Sequence, residues 1–278
     1  MPYESVGLKH RQGAPTFKLL LLGEEDNPAN FNLMLARQET FYSPRHHHNF
    51  EQFRFAYKGD ITLGEGEDWL LREGQLAYFP EGGWYGPQND PDGPKEVLVL
   101  QFGGPSRQGY LSYEQLRKIQ EEMIAQGSGT FQGGKFTPAG EGTGKEPIDG
   151  YEALWQHRNG RPMQYPVARY RHPLLIDPTA FDWRQIDSEG NNHTWVRALG
   201  TFSDGTVAVK NWRIEGDGRL RLAGQKAIQL IFFIKGTAEV GGHTCYEQSA
   251  AQLYPGEEAA ISAGAHGVEI LHFTLPEF

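Results

Sequence analysis

Apolar and polar positions alternate in short runs through the first third of the chain. "TFKLLLLG" (16–23), "FNLMLARQETF" (31–41), "QFRFAYKG" (52–59), "QLAYFPEGG" (75–83) and "EVLVLQFGG" (96–104) each read as a strand closed by a turn signal. The period then changes from two to that of a helix. Ser112 and Gln115 form a capping-box pattern, Leu116, Ile119, Met123 and Ile124 make one apolar stripe, and Gly127 is a natural stop. Residues 127–147 are glycine-rich and read as a flexible loop or lid. They are no phosphate loop, because Lys145 is followed by Glu146 rather than Ser or Thr. A second helix is predicted over "DGYEALWQHRNG" (149–160), with Asp149 as cap and Glu152 three residues on. From Val167 to Phe278 the pattern is strand-like again.

The two strand-rich regions repeat one another. Setting "HHHNFEQFRFAYKG" (46–59) over "AGQKAIQLIFFIKG" (223–236) aligns Gln52 with Gln229, Phe55 with Phe232, and both Lys-Gly endings. Further on, "AYFPEG" (77–82) matches "QLYPGE" (252–257). The spacing from Gly59 to Pro80 is 21, and from Gly236 to Pro255 it is 19. One β unit occurring twice is the expected organisation. The boundaries that follow are 1–110 for the first unit, 111–165 for a helical and glycine-rich connection, and 166–278 for the second.

Composition narrows the function. The chain has 278 residues, with 35 Gly and 17 Pro, as turn-rich β proteins do. Its formal charge of -9 opposes general nucleic-acid binding and docking on anionic lipid. No helix-turn-helix pattern points to a transcription regulator. The longest apolar run, at Lys18–Gly23, is too short to cross a bilayer, and "MPYESVGLKH" lacks a signal-peptide core. Cys245 is the single cysteine, so no internal disulfide is possible. A cytoplasmic protein with a small-molecule substrate is the expectation. Asn192-His193-Thr194 matches a glycosylation acceptor and reads as a chance triplet.

The chemistry concentrates at residues 46–89. His46-x-His48, three residues, Gln52, six residues, Gly59 is followed by Gly74, Pro80, Gly82, Tyr85 and Asn89. These residues resemble the two motifs of the cupin superfamily in spacing, and the repeat makes the chain resemble a bicupin. The resemblance implies a mainly β fold of two cupin-type jelly-roll β-barrels. It also implies one divalent transition metal (Fe, Mn, Ni, Zn or Cu), held in such proteins by two His, one Glu and a third His. This sequence carries His46 and His48, but Gln52 stands at the Glu position and Tyr85 at the third His position. In the second copy Ala223 and Gln225 replace the histidines, so no metal is expected there.

Strand geometry makes His46 and His48 point together and His47 away. Two imidazoles with a carboxylate would form a facial triad with open positions. Gln52 could offer an amide oxygen to the metal. Glu51 could supply the carboxylate, or act catalytically, if the register shifts after His48. Tyr85 is a candidate ligand through its phenolic oxygen, or an acid or base beside the metal. Family spacing turns Gln52 and Arg54 inward; the hydrophobic pattern of Phe53, Phe55 and Tyr57 favours Glu51 instead. The spacing is preferred, which makes Arg54 a candidate for holding an anionic substrate. Trp84 is a candidate wall of the substrate pocket. His10, His157, His172, His193, His243, His266 and His272 show no ligand spacing and are expected on surfaces or loops. The leading functional expectation is a metal-dependent bicupin enzyme, a dioxygenase. A non-redox lyase, decarboxylase or isomerase is the alternative, and a non-catalytic small-molecule-binding protein the second class. A homodimer is expected, because cupin-like sheets commonly cover their edges by pairing.

Overall fold

The computed structural model describes residues 2–5, 15–25, 27, 29–39, 41–66, 69–90, 93–140, 146–188 and 191–277, without the side chains of residues 188, 191 and 192. His10 and Lys145 therefore lie outside the described residues, as does the Asn192 side chain. The protein is mainly β and falls into two compact units, Met1–Leu175 and Ile176–Phe278. The helical and glycine-rich segment belongs to the first unit.

In the first unit the strands are β1 (Thr16–Leu22), β2 (Phe31–Gln38), β3 (Phe41–Ser43), β4 (Phe50–Lys58), β5 (Ile61–Thr62), β6 (Leu70–Leu71), β7 (Leu76–Phe79), β8 (Gln88–Asp90) and β9 (Lys95–Gly103). Helix α1 (Tyr113–Ala125), β10 (Gly129–Gln132), β11 (Lys135–Pro138), β12 (Ile148–Asp149) and α2 (Gly150–Asn159) follow, and the unit ends within β13 (Leu174–Ile176). The main sheet has the order β1-β2-β9-β4-β7-β13, and β3 pairs with β8 and β5 with β6. Met34, Ala36, Ala56, Ala77, Phe79, Val97 and Val99 fill one face of the sheet, together with Ile61, Leu63 and Leu71. Each comes from every second strand position, as the pleat requires.

The helices are placed by a second cluster. Leu116, Ile119 and Met123 of α1 meet Leu154 and Trp155 of α2, and both helices reach Phe50 at the start of β4. The capping box of Ser112 and Gln115 forms as the sequence predicts. Asp149 caps α2, accepting from the backbone N–H of Tyr151 at 2.8 Å and of Glu152 at 3.2 Å. Ile124 departs from the predicted stripe and is exposed. Within the glycine-rich stretch, residues 129–138 correct the loop expectation: β10 and β11 form an antiparallel hairpin across Gly133-Gly134, with Phe131 opposite Phe136.

The second unit holds β14 (Arg184–Ser188), β15 (Asn191–Phe202), β16 (Val207–Ile214), β17 (Arg219–Leu222), β18 (Gln229–Val240), β19 (His243–Tyr246), β20 (Ala250–Leu253) and β21 (Ala259–Thr274). Its sheet runs β14-β15-β16-β21-β18-β19, with β17 on β21 and β20 on β18. Strands β18 and β21 pair along most of their length through two register shifts, which bend them around a core of Trp212, Ile214, Ile231, Phe233, Ile261 and Ile270. Among the described residues neither sheet closes on itself, and each unit is a mainly β jelly-roll of the kind the resemblance implies. No helix among them is long and apolar enough to cross a membrane.

The repeat is visible in three dimensions. Gln52 and Gln229 are both fully buried, and Gly59 and Gly236 both adopt positive φ, 77° and 83°. A related turn controls the site. Gly82 has φ 72°, and its N–H donates to the carbonyl of His48 at 2.7 Å. A Cβ at Gly82 would overlap the Pro166 carbonyl oxygen. Gly82→Ala is therefore expected to cost about 3 kcal/mol, combining left-handed strain with overpacking, read as a lowered urea midpoint.

Candidate metal centre

Two backbone contacts join the sequence motifs. His46 and Tyr85 form an antiparallel bridge, each N–H donating to the other's carbonyl at 3.0 Å. This sets the His46 and Tyr85 rings 4.3 Å apart, centroid to centroid, and the His46 and His48 rings 4.8 Å apart. His48 is held flat against Phe50, at 4.3 Å, and edge-on to Tyr151 of α2, at 5.6 Å. The helical segment thus walls the histidine side of the site.

Tyr85 is the hub. Its Oη lies 2.9 Å from His48 Nε2, 3.0 Å from the Gln52 carboxamide and 3.1 Å from Arg54 Nη2. A phenol offers one proton and accepts two, so three partners satisfy it. Gln52 leads on to Gln101 at 3.2 Å, and Gln101 to Tyr110 at 2.8 Å. Arg54 donates through Nη1 to Gln88 Oε1 at 2.8 Å and lies over the Phe79 and Tyr85 rings. Gln88 in turn donates to Asp90 at 2.6 Å. Arg54 itself has no carboxylate within ion-pair distance among the described residues.

Glu51 does not join the site. Strand alternation puts it on the opposite face of β4, where it accepts from the Tyr78 hydroxyl at 2.7 Å. Gly104 separates it from Glu81, whose carboxylate accepts from Ser106 and whose ionisation burial pushes up. Phe53 and Phe55 share that face and are buried there, Phe53 against Tyr78 and Phe102. Trp84 is 44% exposed and stacks on His47, which is itself stacked on Tyr165.

The side chains fit a divalent metal in three respects. His46 Nδ1 donates to the Pro44 carbonyl at 2.6 Å, which leaves the lone pair on Nε2, the arrangement that orients metal-binding imidazoles. Metal bonds of about 2.1 Å put neighbouring ligand atoms of an octahedron about 3 Å apart, and Tyr85 Oη stands at 2.9 Å from His48 Nε2 and 3.0 Å from Gln52. Imidazole nitrogens with oxygen donors suit the transition metals. The set differs from the family's in having no carboxylate. Among the described residues no three His, Cys, Asp or Glu side chains gather as a metal site, so a metal held beside His46 and His48 would need oxygen donors from Tyr85 and Gln52.

Residues 33–101 match the family model of the cupin domain. Likeness to solved structures extends over the whole chain. A protein from Nostoc punctiforme, provisionally named a dioxygenase, superposes with a TM-score of 0.62 at 13% identity, over 100% of this chain and 78% of that one. Oxalate decarboxylase from Bacillus subtilis superposes with a TM-score of 0.54 at 13% identity, over 96% of this chain and 73% of its own. The chain thus carries a match to the cupin domain within its first unit, and its fold is similar over nearly its whole length to these two structures. No curated protein matches it.

The second unit has a buried polar cluster at the place that the sequence repeat makes equivalent. Gln225 and Ala223, which replace the histidines, both bond Gln229: Gln225 Nε2 donates to Gln229 Oε1 at 3.2 Å, and Gln229 Nε2 donates to the Ala223 carbonyl at 3.1 Å. His272 completes it, against the expectation of a surface or loop residue. Its Nδ1 accepts from Trp212 Nε1 at 3.4 Å, so its Nε2 carries the proton given to Gln229 Oε1 at 3.0 Å. Sequence reading missed His272 because its partners are remote. The available signal was one histidine inside the apolar run "EILHFTL" (269–275).

Burial, aided by the Lys210 charge, lowers the His272 pKa from 6.5 to about 4. The sign of the pH effect follows. Below pH 6.5 the unfolded chain takes up a proton that the folded chain refuses, until about pH 4. This residue therefore leaves stability unchanged above pH 6.5 and removes roughly 3 kcal/mol on acidification to pH 4. Urea midpoints at pH 7 and pH 4.5 check it: His272→Gln should show a shallower acid loss than the wild type.

Proposed function

We propose that the chain is a metal-dependent bicupin enzyme acting on a small organic anion. His46, His48 and Tyr85, with Gln52, would hold one divalent transition metal in the first unit. The carrying observation is Arg54: a half-buried guanidinium beside the Tyr85 hydroxyl, with no carboxylate partner among the described residues. A cation so placed is matched by an anionic substrate, and the guanidinium fork suits a carboxylate. The bound metal supplies Lewis acidity and open coordination positions. The residues of the chain do the rest. Arg54 binds and orients the carboxylate. Tyr85 holds a proton at Oη, within reach of a substrate oxygen or carbon beside it. Phe50, Phe79 and Tyr151 limit water around the histidines and the guanidinium.

A dioxygenase is the reading adopted. Non-redox decarboxylation is the second, favoured by the same pair, since Arg54 would hold a carboxylate next to a proton donor. Elemental analysis of protein purified without chelator should give one transition-metal ion per chain. Oxygen uptake and CO₂ release, measured with a panel of small mono- and dicarboxylates, then divide the two reactions. Protein that holds no metal, and takes up none of Mn²⁺, Fe²⁺, Ni²⁺, Zn²⁺ or Cu²⁺, sinks both.

A further inference from the structure

A single chain of buried hydrogen bonds leads from the start of helix α1 to the histidines, and the backbone sets its direction. A carboxamide rotated by 180° exchanges its N and O without other change, so its orientation is read from its neighbours. Asn32 has neighbours that cannot rotate. With its oxygen toward Tyr113 it accepts from that backbone N–H at 3.2 Å, and its nitrogen donates to the Phe31 carbonyl at 3.1 Å. The reverse orientation sets oxygen against oxygen and N–H against N–H. Asn32 Oδ1 is then 2.8 Å from the Tyr110 hydroxyl.

Tyr110 is also 2.8 Å from Gln101 and has one proton to give. Burial pushes its ionisation well above the ordinary range, so that proton stays on the hydroxyl. Given to Asn32, it leaves Tyr110 Oη to accept from Gln101, whose nitrogen must face it. The oxygen of Gln101 then faces Gln52, at 3.2 Å, and accepts from the Gln52 nitrogen. The oxygen of Gln52 in turn faces Tyr85, at 3.0 Å, and takes its proton. Tyr85 Oη now accepts from Arg54 Nη2 at 3.1 Å and from His48 Nε2 at 2.9 Å. Every member is satisfied. The opposite direction sends the Tyr110 proton to Gln101 and leaves two buried oxygens 2.8 Å apart with no proton between them. An unmade buried hydrogen bond of that kind is the costly case.

We propose that Asn32, through Tyr110 and Gln101, is a positioning residue that turns the carbonyl oxygen of Gln52 toward the Tyr85 hydroxyl. The direction of the relay holds for the metal-free chain; its use, offering an amide oxygen where the family has a carboxylate, rests on the metal reading above. The relay also fixes the His48 tautomer, with the proton on Nε2 until a metal takes that nitrogen.

Nitrogen-15 NMR of histidine-labelled, metal-free protein tests this without any variant, with the His48 resonances assigned by their loss in His48→Ala. The expected tautomer is Nε2–H, and an Nδ1–H tautomer overturns the proposal. In Asn32→Leu the Tyr110 proton passes to Gln101, so His48 should change to Nδ1–H and Mn²⁺ affinity should fall about 10–100-fold. In a Gln101→Met background the relay is cut, and adding Asn32→Leu should no longer change the tautomer. A tautomer indifferent to Asn32, or a shift that persists with Gln101→Met, refutes the relay. Mn²⁺ affinity that survives loss of His46 and His48, with the tautomer results as expected, would refute the metal reading alone.

Discussion

Replacing His46 and His48 together by Ala should abolish metal retention while the chain stays folded. This is the largest expected effect on binding, because these are the two nitrogen donors. What remains is the Tyr85 hydroxyl and the Gln52 amide, both neutral donors, beside the Arg54 cation. Among the described residues no carboxylate lies within ion-pair distance of that charge, and Glu51 lies on the other face of β4. Loss of a single group that merely orients a ligand costs 10–100-fold in affinity, so loss of two ligands should exceed about 100-fold. The fold should survive, because the apolar core formed by Met34, Ala56, Phe79 and Val99 does not include either imidazole. The expected destabilisation is about 2 kcal/mol, from the lost stacking of His48 on Phe50 and the emptied space beside it. Elemental analysis and circular dichroism on one preparation check both halves. Full metal content in the double variant would show that other residues hold the ion.

What could be read from the chain beforehand follows a physical line. The nearness of His46, His48, Gln52 and Tyr85 was legible from motif spacing although only Gln52 lies on a named strand, because the isolated His46–Tyr85 bridge and the Gly82 turn join the motifs locally. The face taken by Phe53 and Phe55 followed from the same spacing, against the apolar pattern. Periodicity alone pointed these aromatics at the site, whereas both faces of β4 are covered and Tyr78 and Phe102 receive Phe53. The β10–β11 hairpin was hidden by its composition, although aromatic residues flanking Gly133-Gly134 are a hairpin signature. Asn32, Gln101 and Tyr110 were missed altogether. Asn32 and Gln101 are each one polar group in an apolar run, brought into line with Gln52 only by the β2–β9–β4 pairing, and Tyr110 lies in the polar connection between β9 and α1. A buried polar residue breaking a run such as "VLVLQF" (97–102) is the signal that precedes such a relay.

Tyr85→Phe should cost turnover more than any other single change in the site. The substitution keeps the ring against His46 and Phe79 and removes one oxygen. That oxygen serves His48, Gln52 and Arg54 at once. Buried donors and acceptors left without a partner cost about 1–3 kcal/mol of stability, so the unfolding midpoint should drop but the protein should persist. Turnover should fall about 10²–10⁴-fold, the range for a positioned acid or base. Metal content separates the two roles of the phenol. If Tyr85 transfers a proton, the variant keeps its metal and loses only kcat. If the oxygen is a ligand, affinity falls as well, and protein loaded with Fe³⁺ or Cu²⁺ loses a phenolate charge-transfer band that the wild type displays. Unchanged metal content, spectrum and turnover would reduce Tyr85 to packing. The site would then rest on His46, His48 and the Gln52 oxygen, with Arg54 facing the substrate without a proton donor beside it.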